Sequence, residues 1–179
     1  MKTRTILIMI FILVIIDQII KIIVNEYFLD LNLEIVTSLL EFRPKYNDKH
    51  SYVNVLLSNN TKVYLGVWFH IAFFLIYQVL ILIIYDFVRS KINGRTKSID
   101  LSITLQVSAM ICALIGNLIW ENGTLDYLYL KPLFIFDLKD FYNSCFIVLF
   151  LLTLFLNWGI FKNLELRDIV FHVRNKFQF

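Results

Sequence analysis

The sequence predicts an all-α integral membrane protein of four transmembrane helices, with a structured extracytoplasmic loop between helices 1 and 2. Three observations predict it. Of the 179 residues, 59% are hydrophobic and only 17% are charged, against roughly 45–50% and about 25% in an ordinary soluble domain. The apolar residues are gathered into four stretches, at about 6–24, 63–85, 101–120 and 141–161, each near the ~20 residues that cross a hydrocarbon core of about 30 Å. None alternates with period two as a barrel strand would, and backbone polar groups in lipid must be satisfied within their own segment, so each stretch is a helix. High hydrophobicity excludes a disordered chain, and the length leaves room for a single membrane domain, 1–179.

The first stretch opens on Met1, Lys2, Thr3 and Arg4 as a secretory signal peptide does. It runs into Asp17, Gln18 and Lys21 instead of a small-x-small cleavage site, so an uncleaved first helix is expected. The outer loop 25–62 is too long for a mere linker and is expected to carry structure. Within it, Glu34 to Phe42 reads as a strand, and Tyr52 to Leu57 as an apolar piece lying on the outer leaflet or packed on the bundle. Helix 2 is followed by a short basic connection, helix 3 by an acidic outer loop, 121–140, and helix 4 by a short tail. Cys112 and Cys145 fall inside spans, where the default is a small buried hydrophobe.

Orientation follows from the basic residues. Ten Lys and Arg lie in residues 1–5, 86–100 and 162–179, against six in the longer 25–62 and 121–140, which predicts both termini on the cytoplasmic side. The formal net charge of +3 is then a topology charge, with no basic stripe that would call for nucleic acid. Trp68, Tyr85, Trp120, Tyr127, Tyr129 and Trp158 cluster near span ends, as an interfacial belt does.

Two constellations carry chemistry. Asp17 and Lys21 are four apart, so they share a helix face and reduce each other's cost inside the membrane. They read equally as a structural ion pair and as part of a polar site, with Gln18 beside them as a partner for another helix. The second constellation lies at the outer ends of helices 3 and 4: Asn117, Glu121, Asn122, Gly123, Asp126, Asp137 and Asp140. Two carboxylates brought together in a partly dry place cannot both ionise, so one holds a proton while the other acts as base, and Asp126 with Asp140 is such a couple. On spacing alone, Asp137 with Asp140 also reads as a helix N-cap and acidic first turn, and Asp126 as a turn residue after Gly123. His70 and His50 lack metal-ligand spacing and read as a packing and an exposed histidine, while Ser51 and Ser58 lack a nucleophile-elbow context.

These residues resemble the lipoprotein signal peptidase (signal peptidase II) family, as a divergent member. Asp17 Gln18 Ile19 Ile20 Lys21 resembles its D-Q-x-x-K motif, and Asn47 the Asn of N-x-G-x-A-F. Gly116 Asn117 Leu118 Ile119 with Gly123 and Asp126 resembles the G-N-x-x-D-R, G-x-V-V-D-F run, and Phe136 Asp137 Leu138 Lys139 Asp140 resembles F-N-x-A-D. Trp120 and Glu121 stand where the family has Asp-Arg, and Asp137 and Lys139 where it has Asn and Ala, Lys139 offsetting the added carboxylate.

The resemblance implies a four-helix membrane aspartic endopeptidase in a bacterial cytoplasmic membrane. Asp126 and Asp140 would be its catalytic pair near the outer surface, with Asp17, Lys21, Asn47, Asn117 and Asp137 in support, and no metal or cofactor. Its substrate would be a prolipoprotein cut before a diacylglyceryl-modified Cys, with membrane lipid as the other partner and the chain acting as a monomer. A non-catalytic relative that binds lipidated peptides or a membrane partner in the same cleft is the alternative. A small transporter subunit relaying protons through Asp17 and Lys21 fits less well, because no other span carries a matching mid-membrane charge.

Overall fold

A computed structural model describes residues 1–47, 54, 65–92, 94 and 96–177. Four of its helices are long and apolar enough to cross a membrane: α1 (Thr3–Tyr27), α2 (Val67–Lys91), α3 (Lys97–Leu118) and α4 (Leu138–Leu156). Compared with the stretches read from sequence, α1 runs further at both ends, α2 and α3 begin at Val67 and Lys97, and α4 begins three residues earlier and stops at Leu156. His50 and the Tyr52 to Leu57 piece lie outside the described residues, apart from Asn54, which is buried and exchanges two hydrogen bonds of 2.9 Å with the Leu65 backbone.

Helix α3 is the centre of the bundle, packed against α1, α2 and α4. Its buried face is built from small and polar residues, Ser102, Thr104, Ser108, Ala109, Cys112 and Gly116. In lipid there is no hydrophobic force pressing helices together, so close backbone approach over small side chains holds them instead. The hydroxyls of Ser102, Thr104 and Ser108 donate to carbonyls of the preceding turn, so none is buried unpaired. The remaining spans show lipid the side chains expected of them: Leu7, Phe11 and Ile12 on α1, Phe73, Ile76 and Val79 on α2, Val148, Leu151 and Phe155 on α4 are all exposed.

The α1–α2 and α3–α4 connections add a four-stranded antiparallel sheet in the order β1 (Leu33–Val36), β2 (Leu40–Asn47), β3 (Thr124–Leu130), β4 (Phe134–Phe136). The single strand expected at Glu34 to Phe42 is instead a hairpin. The chain reverses at Thr37–Leu39, where Ser38 has φ 60 and its backbone N–H donates to the Glu34 carboxylate at 2.9 Å. β2 then pairs with β3 from the other outer loop, with Lys45 opposite Asp126 and Asn47 opposite Thr124.

Hydrophobic clusters sit at the two ends. At the outer end, Val24, Leu125 and Tyr127 are buried with Ile20, Phe42, Tyr46 and Trp120 packed around them. This pins the sheet onto α1 and takes Tyr127 out of the interfacial belt. At the other end, Phe87, Val88, Ile92 and Ile99 pack with Leu154, Phe161 and Ile169. There Asp100, fully buried, accepts from Tyr85 Oη and Arg89 Nε at 2.7 Å each and pairs with the Met1 amino group. After a short turn of helix, α5 (Trp158–Phe161), an amphipathic helix α6 (Leu166–Phe177) docks on α2 through Asp86, which holds His172 Nε2 at 2.8 Å and Lys176 Nζ at 2.7 Å.

Candidate active site

The site lies where β3, the start of α4 and the outer half of α1 meet. Gly123, with φ 89, turns the chain from α3 into β3, a conformation that suits glycine. β3 passes so close to α3 that a Cβ on Gly116 would come within 2.7 Å of Thr124 Oγ1. Two residues on, β3 presents Asp126, which is 5% exposed. Asp126 is thus a buried strand residue and not a solvated turn.

Asp137 is the N-cap of α4. Its Oδ1 accepts from the Asp140 backbone N–H at 3.2 Å, and Asp140 Oδ2 accepts from the Asp137 N–H at 3.2 Å. This capping box fixes Asp140 against the helix start. Asp137 is also fully buried, so its cap role is only half of what it does. One carboxylate oxygen from each of Asp126, Asp137 and Asp140 lies within 4.8 Å of the others. A single water with two hydrogen bonds of ~2.8 Å at its roughly tetrahedral angle spans about 4.5 Å, which matches carboxylates of Asp126 and Asp140 lying within 4.8 Å of each other.

Two lysines knit the carboxylates together. From α1, Lys21 Nζ lies 2.9 Å from Asp17 Oδ2 and 2.7 Å from Asp137 Oδ2, with all three side chains fully buried. The expected pair on helix 1 is therefore a bridge to the outer site. Lys139 Nζ lies 2.9 Å from Asp137 Oδ2, 3.0 Å from Asp126 Oδ1 and 3.4 Å from Asp140 Oδ2. Three carboxylates this close can share a cation, and the cation among them is this ammonium. Asn47, on β2, donates from Nδ2 to Asp126 Oδ2 at 3.3 Å.

Burial pushes the Asp126 carboxyl above its ordinary value; Lys139 pulls it back in part and Asp137 pushes it up again. Burial acts on Asp137 in the same upward sense, but there the ammoniums of Lys139 and Lys21 outweigh it and hold the carboxyl below the ordinary range.

Of the residues singled out from sequence, Asp17, Lys21, Asn47, Asp126, Asp137 and Asp140 meet in this connected network. Asn117 stands in the last turn of α3, where its amide donates to Ala113 O at 2.8 Å within the same helix. Gln18 accepts from Trp120 Nε1 at 3.2 Å, tying α1 to the end of α3. An indole thus stands where the resembled motif has a charged pair. Lys139 is legible in the sequence only as an offset for Asp137; that it touches three carboxylates follows from its place on the first turn of α4, within reach of Asp126 on β3.

The fold and site define a membrane helix bundle with three closely set carboxylates at one end, and the comparisons say which family it belongs to. Residues 9–156 match the family model described as signal peptidase (SPase) II, and the chain belongs to that family. Among curated proteins none matches the chain in sequence. Two solved structures share the fold, each described as a bacterial membrane enzyme structure obtained by the in meso method. One, at 1.9 Å resolution, is 17% identical with a TM-score of 0.61, covering 85% of this chain and 93% of its own. The other, at 2.3 Å, is 17% identical with a TM-score of 0.65, covering 92% and 95%. The protein is a multi-pass bacterial membrane protein of the aspartic peptidase type.

Proposed function

We propose that this protein removes the signal peptide from prolipoproteins, cutting the peptide bond just before a diacylglyceryl-modified Cys. The observation that carries the proposal is the closeness of Asp126 and Asp140, within 4.8 Å, in a chain of the signal peptidase II family. In the proposed reaction a water sits between the two carboxyls. The ionised one takes a proton from the water, whose oxygen bonds to the peptide carbonyl carbon while the protonated one hydrogen-bonds the carbonyl oxygen and passes its proton there. The gem-diol then collapses: one hydroxyl gives its proton to the carboxylate that is now ionised as the C=O re-forms, the C–N bond breaks, and the leaving amine takes the proton held by the other carboxyl, which restores the pair. Asp17, Lys21, Asn47 and Asp137 orient this arrangement without touching the scissile bond, while Asn117 steadies the end of α3 through its bond to Ala113 O. It needs no metal or cofactor, and one chain suffices.

An apolar groove supports a lipid on the substrate. Ile20, Ile23, Phe28, Leu33, Ile35 and Phe42 line an apolar groove between the outer half of α1 and the β1–β2 hairpin. An acyl chain lying there stays out of water while its Cys reaches the carboxylates. In this reading both termini are cytoplasmic and the cut is made near the outer surface.

The test is processing in cells that lack their own lipoprotein signal peptidase. The parent chain should convert a labelled prolipoprotein to its shorter form, and Asp126→Asn and Asp140→Asn should each leave it uncut. Binding of the prolipoprotein without conversion by the parent would replace the peptidase reading with the non-catalytic one.

A further inference from the structure

The reaction proposed above makes no use of Lys139, yet Lys139 is the side chain that touches both members of the water-activating pair. Its side chain is 14% exposed, and its ammonium pairs with Asp126, Asp137 and Asp140 at 3.0, 2.9 and 3.4 Å. Counting the connected groups, the four carboxylates of Asp17, Asp126, Asp137 and Asp140 face the two ammoniums of Lys21 and Lys139, a net charge of −2 when all are ionised. Asp137 and Lys139 together add nothing to that sum. Removing either alone changes the charge beside the pair by a full unit at under 5 Å, where a neighbouring charge moves a carboxyl by about 1–3 pH units.

Other groups facing the pair do not supply this balance. Cys112 on α3, Tyr127 on β3 and Tyr142 on α4 are within electrostatic reach of Asp137, but thiols and phenols are ordinarily neutral at pH 7. Asn47 on β2 is uncharged, and Lys45, the cross-strand neighbour of Asp126, is exposed to solvent. Lys21 on α1 is engaged by Asp17 and Asp137.

We propose that Asp137 and Lys139 are a matched charge pair that sets how tightly the Asp126/Asp140 couple holds its proton, Lys139 being a positioning residue that acts through the couple. This rests on the reading of Asp126 and Asp140 as the water-activating pair and adds what holds their protonation in the working range. Lys139 reaches the couple because Asp137 anchors it, and Asp137 tolerates full burial because Lys139 and Lys21 share its charge.

The test follows the carboxyl C=O stretch of the full chain in lipid nanodiscs by difference infrared titration, with Asp126→Asn used to assign the band. Lys139→Met keeps the stem and removes the cation, so the midpoint should rise by about one pH unit or more. Asp137→Asn keeps a good N-cap and removes the anion, so the midpoint should fall. Lys139→Arg should titrate as the parent does, and the Asp137→Asn/Lys139→Met double variant should return to within roughly half a unit of it. The proposal is overturned if Lys139→Met and the parent titrate together, if both single variants move the same way, or if Asp126→Asn removes no band. The pH profile of prolipoprotein cleavage should move in step with the band. Were the parent to cleave nothing while the midpoints moved as stated, the charge pair would stand and the proposed reaction would fall.

Discussion

Lys21 Nζ reaches Asp137 Oδ2 at 2.7 Å, joining the last two turns of the first membrane helix to the N-cap of the fourth. Both side chains are fully buried, so the contact is made in a low-dielectric interior where a charge left alone is costly. It is also the link through which the ion pair on α1 acts on the outer site.

Lys21→Met should therefore unsettle the fold more than its loss of one hydrogen bond suggests. Asp17 would lose its paired cation and Asp137 one of two, a change of about 3–5 kcal/mol for a broken buried pair. Thermal unfolding of the purified chain in detergent micelles measures it, and a midpoint unchanged from the parent would show that the bridge contributes nothing. The Asp17→Asn/Lys21→Met double variant should recover part of the loss.

Gly116→Ala should damage activity more than stability. The new Cβ would stand 2.7 Å from Thr124 Oγ1 and 3.1 Å from Thr124 Cγ2, so β3 must move, and with it Asp126 two residues on. Displacing a reacting group by about 1 Å costs on the order of 10²-fold in rate. Adding Thr124→Ala removes both atoms, and the double variant should regain most of the processing rate.

Among the described residues, the two buried acids outside the spans give stability opposite pH dependences. The Asp137 carboxyl is held below its ordinary value, so its contribution is complete above about pH 4 and is lost as pH falls through the folded value. The Asp126 carboxyl is raised, so its penalty is absent below about pH 4 and grows as pH rises to the folded value. Asp126→Asn should accordingly melt higher than the parent at pH 7 and match it more closely at pH 4. A variant that melts lower at pH 7 would count against a strained carboxylate at this position.

Asp86→Asn should loosen the C-terminal helix without touching the outer site. Asp86 is the shared partner of His172 and Lys176 and is itself partly exposed, so the loss is on the order of 1 kcal/mol or less. Limited proteolysis should cut within 157–179 several-fold faster, and prolipoprotein processing should keep its rate.

Much of this architecture is legible in the residues. Length and hydropathy alone mark the four spans, and the i,i+4 spacing of Asp17 and Lys21 puts them on one face. What pairs with them is not legible, because Asp137 lies more than a hundred positions away and meets Lys21 only once α1 and α4 are packed. Asp126 and Asp140 stand out as a couple through the family resemblance; spacing alone reads the second as part of a helix start. The capping box and the buried pair prove to be one structure, so both readings describe it. The sheet escapes a reading of local pattern because its central pairing joins β2 and β3 from separate loops. Gly116 reads as part of a motif, while its need to be glycine becomes clear only when Thr124 lies against it.

The strand order gives the α1–α2 and α3–α4 connections a shared fate. β2 of the first is laddered to β3 of the second, and β3 carries Asp126, so force applied to the hairpin is delivered to a carboxyl of the proposed catalytic pair. Grafting a hairpin from a relative, or trimming it to alter which peptides are accepted, would therefore retune the chemistry as well as the selectivity.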